Sequence, residues 1–270
     1  MSAAPELLVR SAAPPSSEGL LVRVTPESAG WRYVGFECFR ISGGARLERL
    51  EPDRECCLVV LTGSATVQAG DSRWDHVGER PTVFDGPPHA VHLPAGHLLR
   101  VEARQGPVEL ALGWAPGQPT SLAQPVLIAP GDCRLTTRGQ GVTERTIRDV
   151  LMEDRAADSL LVTEVVTPAG HWSSYPPHKH DTDDPPRETY LEETYYHRLR
   201  DRQGSAVQLV YTDDRSLDEA LQVRDGDVVL VPRGYHPVVA LPDHDLYYLN
   251  VMAGPRRQWR TTVDPRFSEQ

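Results

Sequence analysis

Short apolar runs closed off by Gly, Pro, Asp or Asn dominate this chain. Residues 20–25, 57–67, 98–103, 108–112, 160–167, 206–212, 227–231 and 247–252 are rich in β-branched or aromatic side chains, and each reads as a strand. Helical periodicity is scarce because Pro and Gly recur too often to leave long amphipathic stretches. The best helical candidate, residues 143–157, is short and has no clean apolar stripe. Many short strands at this spacing predict an all-β fold, a sandwich or a barrel.

An internal repeat sets the domain count. Val83-Phe84-Asp85-Gly86 followed by Pro94-Ala95-Gly96-His97 matches Val223-Arg224-Asp225-Gly226 followed by Pro232-Arg233-Gly234-Tyr235-His236, at offsets of 140 and 138. Glu55 with the apolar run after it lies 138 positions before Glu193 and the run TYYHRL. Three landmarks in nearly one register predict two duplicated barrels. The Pro/Gly-rich stretch 113–133 has linker composition, which divides the chain into an N-terminal barrel, 1–125, and a C-terminal barrel, 126–270.

Charge and composition then narrow the function classes. With 38 Asp and Glu against 28 Lys and Arg, the formal charge is −10, the opposite of what phosphate backbones or anionic lipid surfaces require. Nucleic acid and membrane are therefore excluded as expected partners. No apolar run reaches the length of a spanning helix, and the N-terminus lacks the basic and apolar regions of a secretory signal. Cys38, the vicinal pair Cys56 and Cys57, and Cys133 follow no metal or disulfide spacing, so a reduced, cytoplasmic protein is expected. Of the 28 basic residues only Lys179 is a lysine.

The chemistry concentrates in the second half, which holds six of the ten histidines between His171 and His244 and eight of the nine tyrosines between Tyr175 and Tyr248. In a strand, residues i and i+2 share a face, so His178 and His180 converge while Lys179 points away. An HxH alone is often a solvated surface strand. Glu193 at the head of the next strand-like run, and His236 after the Pro-x-Gly turn, convert it into a metal site. Three imidazoles and a carboxylate suit a divalent transition ion, Zn, Mn, Fe, Co or Ni, with positions left for substrate.

This order of residues resembles the two motifs of the cupin superfamily: Gly, HxH and Glu, then Gly-x5-Pro-x-Gly and His. Gly226 to Pro232 fits the second spacing. Two departures stand out: one residue rather than two separates Gly234 from His236, and twelve separate His180 from Glu193. The acidic, Pro-rich insert leaves Glu192 and Glu193 as alternatives, and the alignment of Glu193 with Glu55 favours Glu193. The runs SYPPHKHD, LEETYYHR, VYTDDRSLDEAL, DGDVVLVPRGYHPV and YYLNVMAGP are similar to the 5-deoxy-glucuronate isomerase family of bacterial myo-inositol catabolism, a bicupin relative of the 4-deoxy-5-hexosulose-uronate isomerases. The resemblance covers essentially the whole chain. It implies interconversion of 5-deoxy-D-glucuronate and 5-dehydro-2-deoxy-D-gluconate, with metal ligands at His178, His180, Glu193 and His236.

An aldose to ketose shift needs a Lewis acid and a group that moves a proton between adjacent carbons, unless a hydride shifts directly. Glu192, His197 and Tyr195 are the candidates for proton transfer. The substrate carboxylate calls for Arg, first Arg233 and then Arg198, while Tyr211 and Tyr248 could present hydroxyls to a sugar acid. Strand alternation turns Lys179 away from the metal, which disfavours an imine mechanism. No HxH precedes Glu55, so the first barrel is expected to lack a metal and to act as a structural, substrate-wall or homo-oligomer element. Two other classes compete: a cupin dioxygenase using Fe(II), which would consume oxygen on turnover, and a non-catalytic sugar-acid-binding cupin, which would bind without turnover.

Overall fold

The computed structural model describes residues 6–12, 14–104, 106–119 and 124–267. The first five residues of the N-terminal segment and residues 120–123 of the linker-like stretch lie outside them. Regular structure among the described residues is nearly all strand; the one α-helix among them, Pro26–Ala29, is a single turn with Thr25 as its N-cap.

The repeat is visible in the sheets. In the first half, Ala90–Leu93, Arg54–Thr62, Val108–Pro116 and Gly35–Ile41 are successive neighbours; in the second, Val228–Val231, Glu192–Leu199, Leu246–Ala253 and Leu161–Thr167 take the same order. All these pairings are antiparallel. A four-stranded sheet packs with each: Arg46–Leu50, Leu98–Ala103, Ala65–Ala69 and Ser72–Val77 in the first half; Trp172–Ser173, Val238–Ala240, Ala206–Tyr211 and Asp218–Val223 in the second. The predicted run 57–67 is two strands, because Gly63, at φ 80°, turns the chain between Thr62 and Ala65.

The best helical candidate, 143–157, holds a strand instead, Arg145–Leu151. Its Thr, Ile and Val favour the pleated conformation. Neighbours on both sides, Arg134–Arg138 and Leu161–Thr167, complete its backbone hydrogen bonds.

The two halves interlock at their ends. Leu8–Val9 pairs with Val228 and Val229 in the second half's large sheet, and Val126–Ile128 pairs with Ala90–His92 in the first half's. The large sheets also pack face to face, with Phe36, Cys57 and Val59 in one core cluster with Tyr196, Tyr247 and Val251. The sheets come close at Gly113, where an added Cβ would lie 2.7 Å from the Val251 side chain. The apolar area removed from water at this seam supplies the main force joining the halves.

Buried polar groups cross the same seam. Glu164 accepts from the Arg80 guanidinium at 2.6 and 2.9 Å and from the Tyr247 hydroxyl at 2.6 Å, with Arg148 3.4 Å away. Arg198, second choice for the substrate carboxylate, is spent here on Glu109 and on Asp225 at 2.7 Å. All four cysteines are free and buried. Among the described residues, no helix is long and apolar enough to cross a membrane.

Candidate metal centre and its cavity

Alternation along Glu192–Leu199 decides which of its side chains reach the site. Glu192, Tyr196 and Arg198 face the first half: the Tyr196 hydroxyl lies 3.4 Å from Cys38 Sγ, and Arg198 meets Glu109. Glu193, Tyr195 and His197 face the interior of the second barrel. The strand is fully buried on both faces, so its pattern could not announce which set was which.

Glu193 Oε2 lies 3.0 Å from His180 Nε2 and 3.3 Å from His236 Nε2. These three side chains form the one group among the described residues whose donor atoms all lie within 4.8 Å of one another. His178, on the short strand His178–Lys179, stands beside them with its ring centroid 4.9 Å from that of His236. Each imidazole donates Nδ1–H to a backbone carbonyl: His178 to Pro176 at 3.3 Å, His180 to Leu191 at 3.0 Å and His236 to Gly234 at 2.8 Å. That fixes the tautomer in which Nε2 carries the lone pair. His236 Nε2 is buried with no hydrogen-bond partner. Such an orphan among buried ligand atoms fits a divalent cation. Burial holds the His178 pKa down at about 3, with the neighbouring His180 charge in the same direction, so the ring stays a neutral donor.

The segments that carry the candidate ligands are tied by the lone lysine. Lys179 Nζ donates to Asp181 at 2.6 Å and to Glu188 at 3.2 Å. Asp181 Oδ2 in turn accepts the Gly234 N–H at 2.8 Å. Gly234 has φ 87°, and an added Cβ would lie 2.4 Å from the Tyr211 carbonyl oxygen, so only glycine makes this turn toward His236.

A cavity of about 350 Å³ opens onto the centre through His178 and Glu193. Period-2 residues of four neighbouring strands form its floor: Arg145, Ile147 and Asp149; Thr163 and Val165; Tyr248, Asn250 and Met252; and Tyr195. Ser174 Oγ joins the Tyr195 and Tyr248 hydroxyls at 2.8 and 3.4 Å, and Ser173 Oγ is 2.6 Å from Tyr248. Burial raises both phenol pKa values. Trp259 covers one side, with its ring 5.9 Å from that of His178.

Several expected site residues are elsewhere. Glu192 accepts the backbone N–H groups of Arg32, Tyr33 and Val34 at 2.7, 2.7 and 3.1 Å, so it clasps the first half rather than serving as a base. Glu55 mirrors it, accepting from Asp158, Ser159 and Leu160 at 2.9, 2.5 and 2.6 Å. Glu55 is therefore the repeat partner of Glu192, and Cys56, opposite Leu93 as Glu193 is opposite Val231, is that of Glu193. The register argument that favoured Glu193 was off by one residue.

If Glu192 is a clasp, Glu192→Gln lowers the melting temperature while turnover per metal-loaded molecule stays within about tenfold. Removal of a general base instead costs roughly 10²–10⁴-fold, and steady-state kinetics with metal analysis separate the two outcomes.

His197 lies below Tyr195, out of the cavity lining, with Nε2 2.9 Å from Gln208 Oε1. Burial lowers its pKa to about 4. The folded state thus keeps it neutral while the unfolded chain binds a proton below about 6.5. Its contribution is present above that pH and lost as pH falls through 4. His197→Phe is expected to remove about 3 kcal/mol of the stability lost between those pH values, measured by urea unfolding across the range.

Arg233 is an exposed turn residue whose nearest side-chain partner is Ser216 at 3.5 Å. Tyr211 donates to Asp264 at 2.9 Å and packs on Tyr235, away from the cavity. The arginines that do line the cavity, Arg134, Arg138, Arg145 and Arg260, were missed: two precede the helical candidate 143–157, one lies within it, and one follows the last recognisable motif. In the first barrel the corresponding mouth is filled. Arg54 lies 4.7 Å over Trp114, and about 20 Å³ remains beside Cys56 and His97.

Fold and site together define a duplicated cupin with a His/Glu centre in one barrel. An oxalate decarboxylase from Bacillus subtilis shares that fold at a TM-score of 0.67 and 14% identity, over 97% of this chain and 80% of that one. The chain belongs to the KduI/IolB family, whose pattern matches residues 7–270. It is 52% identical over 252 residues to the 5-deoxy-glucuronate isomerase of Geobacillus kaustophilus, covering 93% of this chain and 90% of that protein. The Halalkalibacterium halodurans enzyme of the same name is 42% identical over 247 residues, covering 90% and 89%. The crystal structure of an IolB-like protein from Salmonella typhimurium superimposes with a TM-score of 0.94 at 43% identity, over 97% and 98% of the two chains.

Proposed function

We propose that this chain is a 5-deoxy-glucuronate isomerase, converting 5-deoxy-D-glucuronate to 5-dehydro-2-deoxy-D-gluconate in the cytoplasm. The observation that carries the reading is the 52% identity to an isomerase of that name along nearly the whole of both chains. The cavity beside the His/Glu centre supports it. A divalent transition ion, Zn, Mn, Fe, Co or Ni, held by His178, His180, Glu193 and His236, supplies Lewis-acid polarisation of the substrate carbonyl when bound. A structural neighbour, the Bacillus subtilis oxalate decarboxylase, has Mn(II) centres.

The chain's own groups do the rest. The Tyr195 phenol borders both Glu193 and the cavity, and its hydrogen bond to Ser174 and on to Tyr248 makes a hydroxyl relay that delivers or accepts a proton at the substrate oxygen. Asn250 and Thr163 offer polar contacts to a polyhydroxylated substrate, while Trp259 and Met252 exclude water from the reacting end. Of the three residues considered for proton transfer, Tyr195 alone lines the cavity. Tyr195→Phe is therefore the variant that separates the relay from a direct hydride shift.

Turnover of 5-deoxy-D-glucuronate followed by NMR, with oxygen consumption recorded in parallel, tests the assignment. The keto acid is expected with no oxygen uptake. Oxygen-dependent turnover would favour the dioxygenase reading, and metal-loaded protein that binds but does not convert the substrate would favour a binding module.

A further inference from the structure

The strands Arg134–Arg138 and Arg145–Leu151 carry two pairs of opposed residues that both reach the cavity. At one end Arg134 lies directly opposite Asp149 and its Nε donates to that carboxylate at 2.8 Å. At the other end Arg138 lies directly opposite Arg145. Like charges facing each other across an antiparallel pair are destabilising, yet this pair stands on the cavity wall. Among the described residues, neither Arg138 nor Arg145 has a carboxylate within ion-pair distance; Arg145 spends one N–H on the Thr143 carbonyl at 3.0 Å.

The other charged groups of the wall are accounted for. Glu153 holds Arg260 at 2.9 Å, and Asp154 adds its negative charge on the Arg134 side. Arg145 is half-buried, and burial lowers its pKa, the sign of a cation held out of water without a counter-ion. Arg138, itself exposed, lies 5.4 Å over the Trp259 ring, which also faces the His178 ring at 5.9 Å. Arg138 therefore stands across one aromatic side chain from His178.

We propose that Arg138 and Arg145 form the subsite for the substrate carboxylate and set the preference for sugar acids over neutral sugars. The inference rests on the isomerase reading for the substrate's identity, but the subsite is defined by unpaired charge alone. Two guanidinium groups facing one anion give charge-assisted hydrogen bonds that a hydroxymethyl group cannot replace. They hold the acid end away from the centre, so the carbonyl end of a six-carbon acid reaches His178 and Glu193.

The test compares binding of D-glucuronate and D-glucose to the metal-loaded protein by calorimetry, for wild type, Arg138→Gln, Arg145→Gln and the double variant. Wild type is expected to prefer the acid by about tenfold or more. Each single variant should weaken that preference, and the double variant should abolish it while leaving D-glucose binding unchanged. Absence of a preference in wild type, or its survival in the double variant, would overturn the proposal. Turnover of 5-deoxy-D-glucuronate by wild type tests the isomerase reading separately, because the binding preference does not depend on it.

Discussion

Glu193→Ala and His236→Ala are expected to lose bound metal and isomerase activity together, each by more than about 100-fold. That is already the upper range for losing a residue that merely supports a ligand. The two side chains meet His180 at the bottom of the site, with Glu193 Oε2 within 3.3 Å of both imidazole nitrogens. Removing the carboxylate leaves neutral donors without the charge that balances a divalent cation. Metal analysis of the purified variants beside their kinetics checks this. Full metal content with lost activity would mean that these residues act on the substrate instead.

The second large effect concerns stability. Glu164→Ala leaves Arg80 and Arg148 buried at the seam, 4% and 5% exposed, without the carboxylate they share. Breaking a buried pair by removing one partner costs about 3–5 kcal/mol. For a chain of this size that corresponds to a melting temperature lower by roughly 10 °C. The candidate metal centre, on the opposite face of the sheet, should keep its capacity to bind a divalent ion. A loss below about 1 kcal/mol in thermal or urea unfolding would show that the seam does not depend on this pair.

The parts of this molecule that were legible in its sequence are those fixed by local chemistry. The Pro-x-Gly turns need glycine at positive φ, 81° at Gly96 and 87° at Gly234, so they mark the repeat. The HxH strand and the turn before His236 declare themselves by spacing. What escaped depends on which face of a doubly buried strand points where. Glu192 and Glu193 are adjacent carboxylates on a strand without an exposed residue, and only the partner sheet shows that one clasps Arg32–Val34 while the other meets two histidines. The repeat misled by one position for the same reason. Arg233 sits beside a ligand in sequence but projects from the turn. Arg138 and Arg145, by contrast, reach the cavity from strands that no motif marks, and their opposition is a matter of register between them.

Lys179 follows the same logic. Alternation places it away from the cavity, and it is used on Asp181 and Glu188 to hold together the segments that carry His180 and His236, which leaves the cavity without a lysine to form an imine.

The most direct measurement is turnover of 5-deoxy-D-glucuronate by protein stripped with a chelator and then reconstituted with single divalent ions. The account predicts loss of activity on stripping, recovery with one equivalent of ion per chain, and no recovery in Glu193→Ala. Full activity in verified metal-free protein, or reconstitution that proceeds equally well in Glu193→Ala, would contradict it.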